Sequence, residues 1–336
     1  MADKRSANPN LIHRIATGYM GTCALLAALE LNLFDELVNK SMSAQDMADT
    51  LGLAPKPIER LMVALTALKL LERTDGVYTL SPETERYLVK SSPSYFGDYY
   101  RFEVRHCLLP DFLRLDELIR RNQAIMADDW ASYMADPEKA RMFSLGQHSA
   151  SLGGGRMLAA VFDFSPYKNM VDLAGGTGAC SIAACRRNPE LRSTIVDFPN
   201  VVAVAEEIVA KEGLSHRIST LAGDVTRDDW PEGDLMLISL CVSGFSEERQ
   251  MAFFRKCFHK LPPGGAIVVH DFLMNDDYLG PVLSGLYNLT SVEGVPLSGK
   301  DMARRLQAAG FENPEVRRVI PEYTGLVAAK KPARGS

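Results

Sequence analysis

The sequence predicts an α/β protein of two domains: a doubly wound, seven-stranded sheet preceded by a smaller helical domain that ends in a hairpin. Three observations carry that reading. The 336 residues exceed one ordinary core, and at roughly 150 residues per domain they suggest two. From about residue 161, short apolar strands alternate with amphipathic helices, as a parallel sheet with crossovers requires. Before that point the pattern is helical, apart from one alternating segment around Asp75-Gly76. The expected boundaries are 1–110 for the helical domain, 111–160 for a helical linker lining a pocket, and 161–336 for the sheet domain.

From Ile12 to Leu37 the chain is apolar around most of a helix, which needs more cover than its own small domain gives. A second copy of the chain is the simplest cover, so a homodimer is expected. In SMSAQDMADTLGL, Ser43 precedes Asp46 at cap spacing and Gly52 closes the helix; APKPIERLMVALTALKLLE follows with prolines in its first turn. That pair is a helix-turn-helix. ERTDGVYTLS then alternates about Asp75-Gly76, the turn pair of a tight hairpin, and adds a wing. A winged helix invites a DNA-binding reading, but the second helix offers only Lys56, Arg60 and Lys69, too few to track phosphates. The net charge of −5 argues the same way, because nucleic-acid binders carry a basic excess.

The apolar fraction of 46% and charged fraction of 24% are globular values that exclude disorder, collagen-like repeats and a disulfide scaffold. The six cysteines form no CxxC pair and sit in apolar segments, as buried reduced thiols of a cytoplasmic protein do. MADKRSANPNLIHR lacks the apolar run of a secretory leader, and no stretch approaches the ~18 apolar residues of a membrane span. No membrane partner and no metal are expected. Residues 82 to about 160 read as a run of helices, with SSPSYFGDYY and SLGGGRM as loops between them.

The sheet strands are expected at NMVDLAG, RSTIVDF, RISTLAGD, LMLISLCV and AIVVHDF, with a terminal pair near EVRRVI and YTGLVAAKK. After the first of these comes Gly175-Gly176-Thr177-Gly178 and then a helix. Without side chains at the turn, the backbone can approach a ligand, and the helix N-terminus offers unpaired N–H groups. Asp197 lies nineteen residues past Gly178 at the end of the next strand, where a carboxylate accepts from both ribose hydroxyls of an adenosine cofactor. Gly223-Asp224-Val225 ends the third strand and supplies a carboxylate for an adenine amino group.

On these motifs the chain resembles the class I S-adenosylmethionine-dependent methyltransferases of the caffeate and hydroxyneurosporene O-methyltransferase type, from Ile12 to Lys330. VDLAGGTG corresponds to the family's glycine motif, Asp197 to Pro199 to its ribose motif, GDV to its adenine motif and LPPGGAIVVHDF to its late strand motif. The resemblance implies a Rossmann-like cofactor domain, a winged-helix dimerisation domain, S-adenosylmethionine as cofactor and a small-molecule substrate. The cofactor-binding residues it implies are Asp172, Gly175, Gly176, Gly178, Asp197, Gly223, Asp224, Val225 and Ser239, with Gly175 to Gly178 at the methionyl end. A nicotinamide cofactor is disfavoured, since the GxGxxG spacing is missing.

The family pattern breaks at Leu240-Cys241-Val242-Ser243-Gly244-Phe245, where Ser243 occupies the position of the catalytic histidine. No general base is therefore assigned. Asp271 matches an acid that helps hold that histidine, and Glu293 is a loose counterpart of a second; His270, on a buried strand, reads as a core histidine. Methylating a hydroxyl needs a proton removed, a step in which a base contributes about 10²–10⁴-fold. A proton-free nucleophile such as a thioether, a carbon or ionised nucleophile, or abandonment of methyl transfer would each fit the loss. In YFGDYYRFEVRHCLLPDFLRLDELIRR, Arg101 and Arg105 are four apart and, if helical, could clamp a carboxylate with help from Tyr100, Glu103 or His106; an Arg–Glu-paired solvated helix reads equally well. Tyr133, Met142, Phe143, Gln147 and His148 form a second possible lining, and Ser243 completes the expected substrate set.

This segment, with the missing base, is similar to the methylthiohydroxybutyrate S-methyltransferases of dimethylsulfoniopropionate synthesis. That likeness implies S-methylation of a thioether acid, by in-line transfer without a base, as the preferred reaction. The alternative is a small-molecule O- or C-methyltransferase, for which His106 or His148 would have to replace the base, or a cofactor-binding enzyme of secondary metabolism that methylates nothing.

Overall fold

The computed structural model describes residues 8–125, 129–290, 293–294, 297–321 and 323–333. The first seven residues of the N-terminal segment and the extreme ends of the expected domains lie outside them. The chain forms two compact units, Met1–Arg101 and Phe102–Ser336.

In the first unit, α1 (Asn10–Glu30) and α2 (Leu33–Glu36) replace the single helix expected from Ile12 to Leu37. The break is at Asn32, whose φ of 55° lies in the left-handed region that asparagine tolerates better than most residues. A left-handed residue cannot continue the helical ladder. α3 (Ala44–Leu51) opens on a complete Ser43/Asp46 capping box and closes on Gly52 at φ 66°, and α4 (Pro55–Ala67) starts on its proline. β1 (Leu71–Thr74) and β2 (Val77–Leu80) pair antiparallel, with Asp75 and Gly76 both at positive φ as a two-residue hairpin turn requires. α5 (Pro82–Tyr87) follows. Phe34, Met47, Met62, Leu65 and Tyr78 make the core, while Leu11, Ile12, Ile15, Tyr19 and Met20 of α1 stay exposed, Ile15 by 73%.

A π-helix, Tyr99–Leu108, carries the chain on to α6 (Leu109–Phe112), α7 (Leu115–Arg121), α8 (Trp130–Met134) and the long α9 (Pro137–Val161). SLGGGRM, expected as a loop, lies inside α9. One of its glycines serves packing: a Cβ on Gly155 would stand 2.9 Å from the Ala179 carbonyl oxygen, so the absent side chain lets α9 lie against the next helix.

All seven expected sheet strands form. β3 (Asn169–Leu173), β4 (Arg192–Asp197), β5 (Ile218–Ala222), β6 (Leu235–Ser239) and β7 (Ala266–Asp271) run parallel; β8 (Glu312–Ile320) and β9 (Thr324–Lys330) are antiparallel, and the order is β5-β4-β3-β6-β7-β9-β8. Every residue of β7 is buried, which is why its sequence is continuously apolar rather than alternating until His270. The crossovers are α10 (Ala179–Arg187), α11 (Pro199–Lys211) and α12 (Glu247–Lys260), followed by α13 (Val282–Tyr287) and α14 (Gly299–Ala308). Two apolar clusters cover the sheet, one containing Phe253, Phe254 and Met302, the other Leu158, Ile182 and Val209. Strand order reverses between β3 and β6, and in such sheets the crevice beyond the carboxyl ends at that point takes the ligand. Among the described residues no helix is long and apolar enough to cross a membrane.

Candidate active site

At the carboxyl end of β3 the chain turns sharply over its own last acid. Ala174, Gly176 and Gly178 all have positive φ, and a Cβ on Gly175 would lie 2.7 Å from Asp172 Cγ. Asp172 is fully buried; Ser181 Oγ donates to its Oδ2 at 2.5 Å, and Oδ1 has no partner. Burial pushes the carboxyl up to about 7. An orphaned buried acceptor beneath a glycine-rich turn suits the cationic amino end of a ligand.

Asp197, at the end of β4, is held from behind. Gly176 N–H donates to Oδ2 and Phe198 N–H to Oδ1, both at 2.8 Å. Each oxygen keeps further acceptor capacity, which is what two vicinal hydroxyls need. Burial pushes this carboxyl up to about 6 against the pull of those two N–H groups. The Gly223 N–H donates to the Asp197 carbonyl at 2.9 Å and so ties the end of β5 to β4.

Beyond lies a cleft of about 480 Å³, lined by Phe198, Gly223 and Asp224 on one side and by Ala131 and Met134 of α8 on the other. Asp224 is partly committed to its own turn, its Oδ1 accepting from Thr226 N–H at 2.8 Å and Thr226 Oγ at 2.7 Å. Val225 is buried in the core. Nothing in the local sequence announced Met134 or Phe198 as lining residues; Asn200, which donates to the Met134 carbonyl at 2.9 Å, holds α8 there.

Ser239 closes β6 partly buried, with two groups bonded to its hydroxyl. Cys180 Sγ donates to Ser239 Oγ at 3.6 Å, and His270 Nδ1 lies 2.9 Å away; the far ring nitrogen of His270 is 2.8 Å from Thr324 Oγ1. Ser243 is held through its backbone, its N–H donating to Asp271 Oδ2 at 3.0 Å, while Phe272 N–H donates to Oδ1 at 2.8 Å. Glu293 takes no part: it is exposed and pairs with Arg249 at 2.8 Å.

The proposed carboxylate clamp does not assemble. Arg101 is occupied by Asp98 at 3.2 Å and Glu30 at 3.6 Å, and Tyr100 packs into the first unit's core. Arg105 and His106 are exposed. The buried residues of this stretch within the second unit are instead Glu103, Cys107, Leu108 and Leu118. Glu103 accepts from Gln147 Nε2 at 2.6 Å, and burial pushes it up to about 8, so it is a neutral acid at pH 7. Tyr133 hydrogen-bonds to Cys107 Sγ at 3.4 Å within an aromatic group with Trp130 and Phe143. His148 Nδ1 is 2.7 Å from Thr177 Oγ1 in the glycine turn, and burial holds its pKa below the ordinary imidazole range. An expected substrate residue is thereby hydrogen-bonded to the glycine turn. Phe272 stacks on Tyr287 with centroids 4.4 Å apart, and Tyr323 meets both edge-on. This aromatic group at the end of β7 draws on residues far apart in the chain, and no single motif signals it.

The chain matches two family models, an O-methyltransferase domain over residues 116–312 and an O-methyltransferase dimerisation domain over residues 13–90. It is 34% identical over 337 residues to the 3-hydroxy-5-methyl-1-naphthoate 3-O-methyltransferase of Streptomyces sahachiroi, covering 96% of this chain and 95% of that protein. It is 29% identical to the L-tyrosine C(3)-methyltransferase of Streptomyces lavendulae, with 91% and 88% covered. Its fold matches human N-acetylserotonin methyltransferase in complex with S-adenosylmethionine at a TM-score of 0.87 and 23% identity, covering 99% of this chain and 100% of that one. A glycine turn over an orphaned carboxylate, a second strand-end carboxylate beside it and, above all, the two matched domains lead to one conclusion: the chain belongs to the O-methyltransferase family and is an S-adenosylmethionine-dependent methyltransferase.

Proposed function

We propose that this enzyme methylates a small aromatic acid at a phenolic oxygen or an adjacent ring carbon. The observation that carries the reading is the aromatic group of Phe272, Tyr287 and Tyr323 at the end of β7, beside the Asp271 that positions Ser243. The relatives support it, for the named substrates of two of them, a hydroxynaphthoate and tyrosine, are both phenolic acids. A thioether acceptor has less support, since the relatives are O- and C-methyltransferases.

Bound S-adenosylmethionine supplies an electrophilic methyl group on a sulfonium. In this reading Asp197 accepts from the ribose hydroxyls, Asp172 faces the methionyl ammonium, and Gly175, Gly176 and Gly178 let the backbone come close. Gly223, Asp224 and Val225 form the adenine end with Phe198 and Met134. A phenol with a pKa near 10 still has to lose a proton, and Ser243 cannot take it. His148 can: it is neutral and hydrogen-bonded to the turn that holds the methionyl end. Alignment and exclusion of water supply the rest. The enzyme works as a homodimer in this reading, with the exposed apolar face of α1 in the interface.

One observation favours a second reading. Position 243 holds no titratable group, and a thioether sulfur needs none. Label transfer from methyl-labelled cofactor to a panel of phenolic acids and thioether acids decides: labelled phenolic ethers or ring-methylated phenols are expected, and label found in sulfonium products alone would overturn the first reading in favour of the second.

A further inference from the structure

His270 is buried, and the family resemblance gives it no task. Ser239 and His270 are register partners on adjacent parallel strands, so their side chains share a face of the sheet. Thr324 reaches the same ring from β9. Burial pushes His270 down to about 4, so the ring is neutral, with one donor nitrogen and one acceptor nitrogen.

Hydrogen-bond accounting then fixes which is which. Thr324 is 1% exposed, and among the described residues its hydroxyl has one partner, His270 Nε2. Were Nε2 protonated, the Thr324 proton would be buried without an acceptor, a cost that proteins avoid. Thr324 therefore donates to Nε2, and Nδ1 carries the ring proton and donates to Ser239 Oγ. Cys180, whose thiol is pushed up to about 12 by burial and so keeps its proton, donates to the same oxygen. With two donors directed at it, Ser239 Oγ has its acceptor capacity filled, and what it has left to offer is its own O–H.

We propose that His270 is a positioning residue: through its Nδ1–H it locks the Ser239 hydroxyl as a donor toward the methionyl carboxylate of the cofactor. The complementarity is local. β3 and β6 are neighbours at the switch point, Asp172 on one presenting an unpaired acceptor and Ser239 on the other a donor. An amino-acid end has an ammonium for the first and a carboxylate for the second. Thr324, the terminus of the chain of bonds, sets the tautomer from the neighbouring strand β9.

The assignment rests on Ser239 belonging to the cofactor site, and the test separates the two. Calorimetry with S-adenosylhomocysteine and with 5′-methylthioadenosine, which lacks the amino-acid end, is run on the full-length wild type, Ser239→Ala, His270→Leu and His270→Asn. Loss of a hydrogen bond to a carboxylate should weaken S-adenosylhomocysteine by about tenfold to a hundredfold in Ser239→Ala and His270→Leu. Methylthioadenosine should change by less than about twofold. His270→Asn, which puts an amide N–H near the place of Nδ1, should recover most of the loss. Nitrogen-15 correlation spectra of the wild type should show the neutral Nδ1–H tautomer, a readout that needs no variant to fold. An Nε2–H tautomer, or unchanged S-adenosylhomocysteine affinity in His270→Leu, overturns the proposal. Parallel losses on both ligands would contradict the carboxylate assignment alone, whereas a wild type that binds neither ligand would contradict the cofactor site itself.

Discussion

Replacing Glu103 with glutamine should make the cofactor-free protein progressively more stable than wild type as the pH rises. The carboxyl is 3% exposed, with Gln147 as its recorded side-chain partner, and burial raises its pKa from 4.5 to about 8. Below pH 4.5 both folded and unfolded chains hold this proton, so folding gains nothing from it or loses nothing to it. Between 4.5 and 8 the unfolded chain has released the proton and the folded one retains it, so each pH unit costs the wild type about 1.4 kcal/mol. Above 8 the cost is complete. The span gives a ceiling of about 5 kcal/mol, and local opening that admits water brings the expected figure to about 3 to 5 kcal/mol. Glutamine keeps the shape and the acceptor for Gln147 but cannot ionise. Urea unfolding of Glu103→Gln and wild type at half-unit steps from pH 5 to 9 cancels the other titrating groups in the difference. Two parallel stability curves across that range would refute the reasoning.

Three further outcomes are expected. Asp172 and Asp197, raised to about 7 and about 6, are stronger acceptors when ionised, and Asp172 gains an ion pair with an ammonium only then, so affinity for S-adenosylhomocysteine should rise from pH 5 to 7.5; Asp197→Asn should bind about tenfold to a hundredfold more weakly and reduce that rise, and calorimetry across pH reads both. Gly155→Ala pushes a methyl to within 2.9 Å of the Ala179 carbonyl oxygen and should cost about 1 to 3 kcal/mol in urea unfolding, whereas a change under about 0.5 kcal/mol would mean that α9 does not depend on that close approach. Turnover with a phenolic acid should fall by less than about tenfold in Ser243→Ala and by about a hundredfold or more in His148→Asn; equal losses in the two variants would refute His148 as the base.

What could be read from the sequence was what local pattern encodes. The apolar runs of β3 to β7 sit between turns and helices of ordinary length, and each strand could be placed from its own residues. Asp172, Asp197 and the glycine turn were legible because a sharp turn and a strand-end carboxylate are local features. SLGGGRM misled because glycine marks a loop in most contexts, and only the approach of α10 shows that here it marks packing. Arg101 was expected to bind substrate, but its fate is set by Glu30, seventy residues away in the chain, which no helical spacing reveals. The tie between His148 and Thr177, and that between Ser239 and His270, depend on helix docking and strand register. Neither leaves a trace at short range.

The position of β9 has a consequence for biosynthesis. It leaves the ribosome after the other six strands of this sheet, yet it lies between β7 and β8 and contributes Leu326 and Val327 to the core. Until it emerges, β7 presents an unpaired border that is apolar over Ala266 to Val269, the kind of surface that recruits stray strands from other chains. A nascent polypeptide arrested near residue 310 would therefore be a client for chaperones and not a half-working catalyst.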